Sequence, residues 1–143
     1  MTPAKRLMQS IQAHTYTRLA PSRIHGIGVV AIRRIPKGVN PFADGPAYEY
    51  VQVRPEDLDV LDPQVKQLLT DLCAYEDGVY WVPDFGLSGA GQSWYLNHST
   101  TPNMGTPEDG EEHGDEFVAL RAIEPGEELT VDYGTYNDTV EVP

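Results

Sequence analysis

The chain is 143 residues long, enough for one domain with a core of its own, and its single cysteine, Cys73, excludes an internal disulfide. Ten Lys plus Arg stand against twenty-two Asp plus Glu, a net charge of −12 that repels nucleic-acid phosphates and draws in cationic partners. There is no apolar run of about eighteen residues to cross a membrane and no Cys/His cluster with zinc spacing, and Lys5 and Arg6 lack the apolar stretch of a secretory signal, which together predict an intracellular protein without a metal site.

Residues 4–12 place Leu7, Met8 and Ile11 on one side of a short helix or frayed terminus. Residues 16–19 read as a first strand, and Pro21-Ser22 turns the chain into the glycine pair Gly26 and Gly28. Residues 27–35 are apolar and β-branched and close at Pro36-Lys37-Gly38, a hairpin signal. The stretch Ala31-Ile32-Arg33-Arg34-Ile35-Pro36-Lys37-Gly38 is echoed by Ala119-Leu120-Arg121-Ala122-Ile123-Glu124-Pro125-Gly126. This is too short for a repeat architecture and reads as two similar strand-turn units, two hairpins on either side of the intervening chain. Residues 48–53 alternate like a strand. A helix follows, with Asp62 as cap, Pro63 at its first position, Val65, Leu68, Leu69 and Leu72 on the core face, and Gly78 as its stop. Residues 79–82 and 117–120 are further short strands, the latter after an acidic loop over 107–116. Many short strands with turns and one clear helix predict a mostly-β domain with few helices.

Three stretches carry chemistry. His25-Gly26-Ile27-Gly28-Val29-Val30-Ala31 is a glycine-rich turn before an apolar strand. Ser93-Trp94-Tyr95-Leu96-Asn97-His98-Ser99-Thr100-Thr101-Pro102-Asn103 gathers aromatics, two amides, an imidazole and hydroxyls around a proline. Glu127-Glu128-Leu129-Thr130-Val131-Asp132-Tyr133-Gly134 is a strand-like run ending in an aromatic hydroxyl beside glycine. Each has a structural alternative: short polar side chains beside proline build turns by bonding their own backbone, His98 serves as a hydrogen-bonded core histidine, and Tyr133 packs a strand end.

In this order the three stretches resemble the SET-domain family of protein lysine methyltransferases, with every fixed position of the family's Asn-His-Ser-x-x-Pro-Asn segment met from Asn97 to Asn103. The resemblance implies a β-clip fold of several small sheets with a C-terminal knot-like crossing, spanning residues 16–136 between an N-terminal extension (1–15) and a tail (137–143). It implies S-adenosyl-L-methionine as cofactor. Gly26, Ile27 and Gly28 would let backbone approach it, Asn97 and His98 would contact it, and Tyr95 and Tyr136 would wall the cofactor or the lysine channel. Tyr133 matches the catalytic tyrosine, and Tyr48 and Tyr50 are candidates for the channel lining. The implied partner is a lysine-bearing, basic protein or peptide, with no nucleic acid and no membrane, in the cytoplasm of a bacterium or the nucleus or cytoplasm of a eukaryote.

The departures are Trp94-Tyr95 where many members carry Arg-Phe, Thr100 where many carry Cys, and no cysteine cluster after Gly134 to close the channel. Tyr136 with the tail, or a second subunit in a homodimer, would then supply that wall. Two other readings stay open: a non-catalytic acidic module binding basic peptides on the same fold, and a methyltransferase acting on a small molecule.

Overall fold

The β-branched run that begins at Ile27 forms its strand, but a shorter one than its composition suggests. In a computed structural model, which describes residues 1–107 and 117–135, β1 (Thr17–Pro21) and β2 (Ile27–Ala31) form an antiparallel hairpin with Thr17 opposite Ala31 and Pro21 opposite Ile27. The described residues fall into two compact units, one of residues 1–45 with 95–107 and 117–132, the other of residues 46–94 with 133–135.

In the first unit, β9 (Glu128–Val131) runs between β2 and β6 (Asn97–His98), giving the sheet order β1-β2-β9-β6, antiparallel except for the β9–β6 pair. This late strand entering the middle of an early sheet is the part of the expected crossing that the described residues carry. A strand flanked on both sides is buried along its length, and Leu129, Thr130 and Val131 are all buried. Thr130 is the polar exception, and its hydroxyl accepts from the amide of Asn103, a residue itself 4% exposed, at 3.3 Å. Asn103 accepts from the Thr130 amide at 2.8 Å and donates to the Glu128 carbonyl at 2.9 Å, supplying the bonds that two-residue β6 is too short to make. β7 (Met104–Gly105) and β8 (Val118–Ala119) form a further antiparallel pair.

The echoed segments are not two separate hairpins. They pair with each other about a local two-fold. Ile35 and Ile123 exchange both backbone bonds (2.8 and 2.9 Å). Ala31 donates to Glu127 and accepts from Gly126, and Ala119 correspondingly donates to Val39 and accepts from Gly38. The like sequence is therefore used twice for the same bonds, in opposite directions. Ile35, Ile123, Ala31 and Ala119 are all buried at this crossing, and Gly38 and Gly126 take matching positive φ of 87° and 91°. This is why β2 ends at Ala31: the chain leaves the sheet there to meet its counterpart.

Helix α1 (Pro3–His14) is capped by Thr2, whose hydroxyl accepts from the Lys5 amide, with proline at its first turn. It buries none of its residues, and its end is tied by Arg33 donating to the Gln12 carbonyl.

In the second unit, β3 (Tyr50–Val53), β5 (Val79–Pro83) and β4 (Ala74–Glu76) form an antiparallel sheet in that order. α2 (Pro63–Leu72) starts as its sequence predicts, with the Asp62 carboxylate accepting from the Gln64 amide at 2.8 Å. Only half of the expected core face is covered: Leu69 is buried and Leu72 packs beside it, whereas Val65 and Leu68 are exposed. The helix stops at Cys73, five residues before Gly78. Gly78 instead shares with Asp77 the left-handed pair (φ 57° and 78°) that closes the tight β4–β5 hairpin, a geometry that favours Asp-Gly. No helix among the described residues is long and apolar enough to cross a membrane.

Cys73 packs with Leu58 and Leu69 in this unit's core, and burial pushes its thiol up from 9.0 to about 11. The folded chain then holds a proton that the unfolded chain releases, so this contribution is intact below pH 9.0 and lost as pH rises towards about 11. Thermal unfolding across that interval should show a steeper fall in Tm for the parent than for Cys73→Ala. Equal slopes would show that other groups govern the alkaline loss.

Candidate functional site

The turn between β1 and β2 is built by its own Ser22 and braced by side chains distant in sequence. Pro21-Ser22 starts it, and the Ser22 hydroxyl accepts from the amides of Ile24 (2.9 Å) and His25 (3.2 Å), while the Ser22 amide donates to the Gly26 carbonyl at 2.8 Å. Gly26 sits at φ 50° with nothing within 4 Å of where a Cβ would stand, so its outer face is open backbone.

Asn97 clamps this turn from behind. It is 8% exposed, and its Nδ2 lies 2.9 Å from Glu128 Oε2, 3.0 Å from Ser22 Oγ, 3.0 Å from the His25 carbonyl and 3.3 Å from the Ile27 carbonyl. Two N–H bonds are thus shared among four oxygens. Glu128 completes the cluster by accepting from the Ser22 hydroxyl at 2.7 and 2.9 Å. A partly buried carboxylate held by a hydroxyl and an amide makes the stronger, charge-assisted kind of hydrogen bond. Ser22 and Glu128 were not legible as site residues: each has the composition of an ordinary turn or strand end, and only the fold brings them together.

Gly28 has a different reason for being glycine from Gly26. A Cβ there would stand 2.5 Å from Glu128 Oε2 and 3.1 Å from the Ser22 Cβ, so the missing side chain makes room for the carboxylate. Gly28→Ala should drive Glu128 off Asn97 and Ser22 and destabilise the chain by about 1–3 kcal/mol, the cost of unpairing such groups. In a double-mutant cycle with Glu128→Ala the two losses should overlap; full additivity would refute the steric link.

The other candidates are placed as follows. His98, half-buried, pairs in register with Val131, and its Nδ1 is 3.8 Å from the Asp132 carboxylate. Ser99 extends the parallel ladder by donating its amide to the Val131 carbonyl and forms a local turn by accepting from the Thr101 amide. Within this motif, then, the turn-building alternative describes Ser99, whereas Asn97 and Asn103 bond to residues far along the chain. Tyr95 ends a 3-10 turn over Gln92–Tyr95 and is half-buried. Tyr133 opens a 3-10 turn over Tyr133–Thr135, two residues after β9.

Tyr48 and Tyr50 belong to an aromatic group in the second unit. Their rings meet edge-on at 5.4 Å with hydroxyls 3.2 Å apart, Tyr48 packs edge-on against Phe85 at 4.9 Å, and Trp94 lies 6.2–6.3 Å from both tyrosines. Such packing suits an aromatic surface as well as a core. Tyr136, the tail and most of the acidic loop lie outside the described residues.

The family model for the SET domain matches residues 26–134 of the chain, which include all of the glycine pair, the clamp residues Asn97 and Glu128, and Tyr133. No curated protein sequence matches the chain. Among solved structures, a Plasmodium falciparum protein named provisionally as a histone methyltransferase is 18% identical over 84% of this chain and 94% of its own, with a TM-score of 0.49.

Proposed function

Because the chain belongs to the SET-domain family of protein lysine methyltransferases, we propose that it transfers a methyl group from S-adenosyl-L-methionine to a lysine side chain of a protein substrate. The observation that carries this reading is the turn at Gly26: open backbone on its outer face, held rigidly from within by Asn97, Ser22 and Glu128. A turn fixed in advance binds at lower entropic cost than one that must be ordered by its ligand. Gly26 and Ile27 would meet the cofactor through backbone, with the exposed Ile27 side chain as apolar support, and Tyr95 and His98 beside them.

When bound, the cofactor would supply an electrophilic methyl group on a sulfonium, and the chain's own task would be to present the lysine Nζ to it with a free lone pair, its proton already lost to solvent. A free lysine with a pKa of about 10.4 is almost wholly protonated at neutral pH, so the site must favour the uncharged amine. Aromatic walls do this by desolvation, and Tyr48 and Tyr50 are the residues we assign to that role. The Tyr133 hydroxyl orients the amine and the transferring methyl. The acidic surface draws basic, lysine-bearing segments to the site.

Calorimetric titration with S-adenosyl-L-methionine, compared with its demethylated product, tests the cofactor half of this reading. Saturable binding of both is expected. Heat-silent mixing at millimolar ligand would leave the acidic peptide-binding module as the better account.

A further inference from the structure

The net charge conceals a sharp division along the chain. Residues 1–43 contain seven of the ten Lys and Arg and none of the twenty-two Asp and Glu, the first of which is Asp44. Residues 46–94 carry nine acids against Arg54 and Lys66 alone. The exposed hydrophobic side chains divide in the same way: among the described residues every large one falls either within 1–32, as Leu7, Met8, Ile11 and Ile24 do, or within 48–85, as Val51, Val60, Val65 and Leu68 do.

Arg33 reaches the Gln12 carbonyl and the Tyr16 ring and Arg34 pairs with Glu124, whereas the two cations of α1 are not explained by the stability of their helix. Lys5 and Arg6 lie in the first turn of α1, where the helix dipole disfavours cations, and no acidic residue shares that turn. The same helix leaves Leu7, Met8 and Ile11 in water at 43–57% exposure. On the acidic half, the 3-10 turn Pro55–Val60 presents Glu56, Asp57 and Asp59 around Val60, which is 88% exposed.

We infer that α1, through Lys5, Arg6, Leu7, Met8 and Ile11, docks on the acidic turn around the exposed Val60, Pro55–Val60, of a second copy of this chain. Opposite charges interleaved with apolar side chains on both faces are what a protein interface of mixed character needs. Both faces occur in every copy, so each copy carries both halves of the contact. A nucleic acid or an anionic bilayer matches the cations, but it meets repulsion from the acidic remainder, and a phosphate backbone gives Leu7, Met8 and Ile11 nothing apolar to cover them.

The test is sedimentation equilibrium of the full chain at low ionic strength and at about 1 M salt, where the screening length falls to about 3 Å. A dimer is expected at micromolar concentration in low salt, weakened about tenfold or more in high salt. The double variants Lys5→Glu/Arg6→Glu and Glu56→Lys/Asp59→Lys should each be monomeric alone and should form a heterodimer when mixed, because every reversed face then meets its complement. Folding is not at issue in the first, since acids in the opening turn of α1 favour the helix. In the second, the ion pairs of Glu56 with Arg54 and of Asp59 with Lys66 are exposed and contribute little. A chain monomeric at every salt concentration, or a dimer indifferent to both variants, overturns the inference. So does a monomer whose binding to duplex DNA or to phosphatidylserine vesicles is lost in Lys5→Glu/Arg6→Glu, which would assign the basic face to a phosphate-bearing partner.

Discussion

Tyr133→Phe is expected to lower kcat by about a hundredfold or more while changing affinity for S-adenosyl-L-methionine by no more than about twofold, the pattern of losing a hydroxyl used mainly in the transition state. The substitution removes one oxygen and almost no volume. Tyr133 is half-buried and opens the 3-10 turn directly after β9, so the ring keeps its packing and the readout is confined to the hydroxyl. Steady-state kinetics on a lysine-bearing peptide, with calorimetry on the same preparation, separates the two effects. Full activity in Tyr133→Phe would remove the hydroxyl from the mechanism. Equal losses in turnover and in cofactor affinity would make Tyr133 a binding residue.

Asn97→Ala should act on stability and cofactor affinity together. It removes the donor shared by Ser22, two turn carbonyls and Glu128. Leaving those acceptors short of a partner costs about 1–3 kcal/mol. A turn no longer held should bind the cofactor about tenfold more weakly, because its ordering is then charged against binding. Asn97→Asp is the sharper variant. It keeps the shape but sets a second carboxylate against Glu128 Oε2, where the Asn97 nitrogen now lies at 2.9 Å. Like charges that close raise one partner's pKa, so this variant should be less stable than Asn97→Ala at neutral pH and recover as falling pH protonates the pair. Denaturant unfolding across pH, beside cofactor titration, reads both. An Asn97→Asp variant as stable as the parent at neutral pH would mean the clamp is absent in solution.

What the sequence makes legible follows the range of the interactions. The start of α2 is readable because Asp62 and Pro63 act within one turn, and the hydrophobic run of β2 because β-branched residues report on strands locally. Gly78 misleads because a glycine after a helical pattern serves equally well as a stop or as half of an Asp-Gly hairpin, and the choice depends on β4 pairing with β5. The matching segments at Ala31 and Ala119 are visible as similar strings, but nothing local states that their partners are each other. The same holds for the site. Asn97 is marked by its motif and Tyr133 by its position beside glycine, whereas Ser22 and Glu128 take their meaning from a contact spanning most of the chain. Gly28 shows the consequence: predicted as a place for ligand to approach, it is also the space that Glu128 fills. The charge division is hidden for a simpler reason, since a net figure sums over it.

The measurement closest to the central claim is transfer of an isotopically labelled methyl group from S-adenosyl-L-methionine to a basic lysine-rich peptide, run beside the same peptide with every lysine replaced by arginine. Mass spectrometry should find label on lysine Nζ in the first and none in the second, with Tyr133→Phe silent on both. Label on both peptides, or label released to water or to a small molecule with neither peptide modified, would contradict a protein lysine methyltransferase.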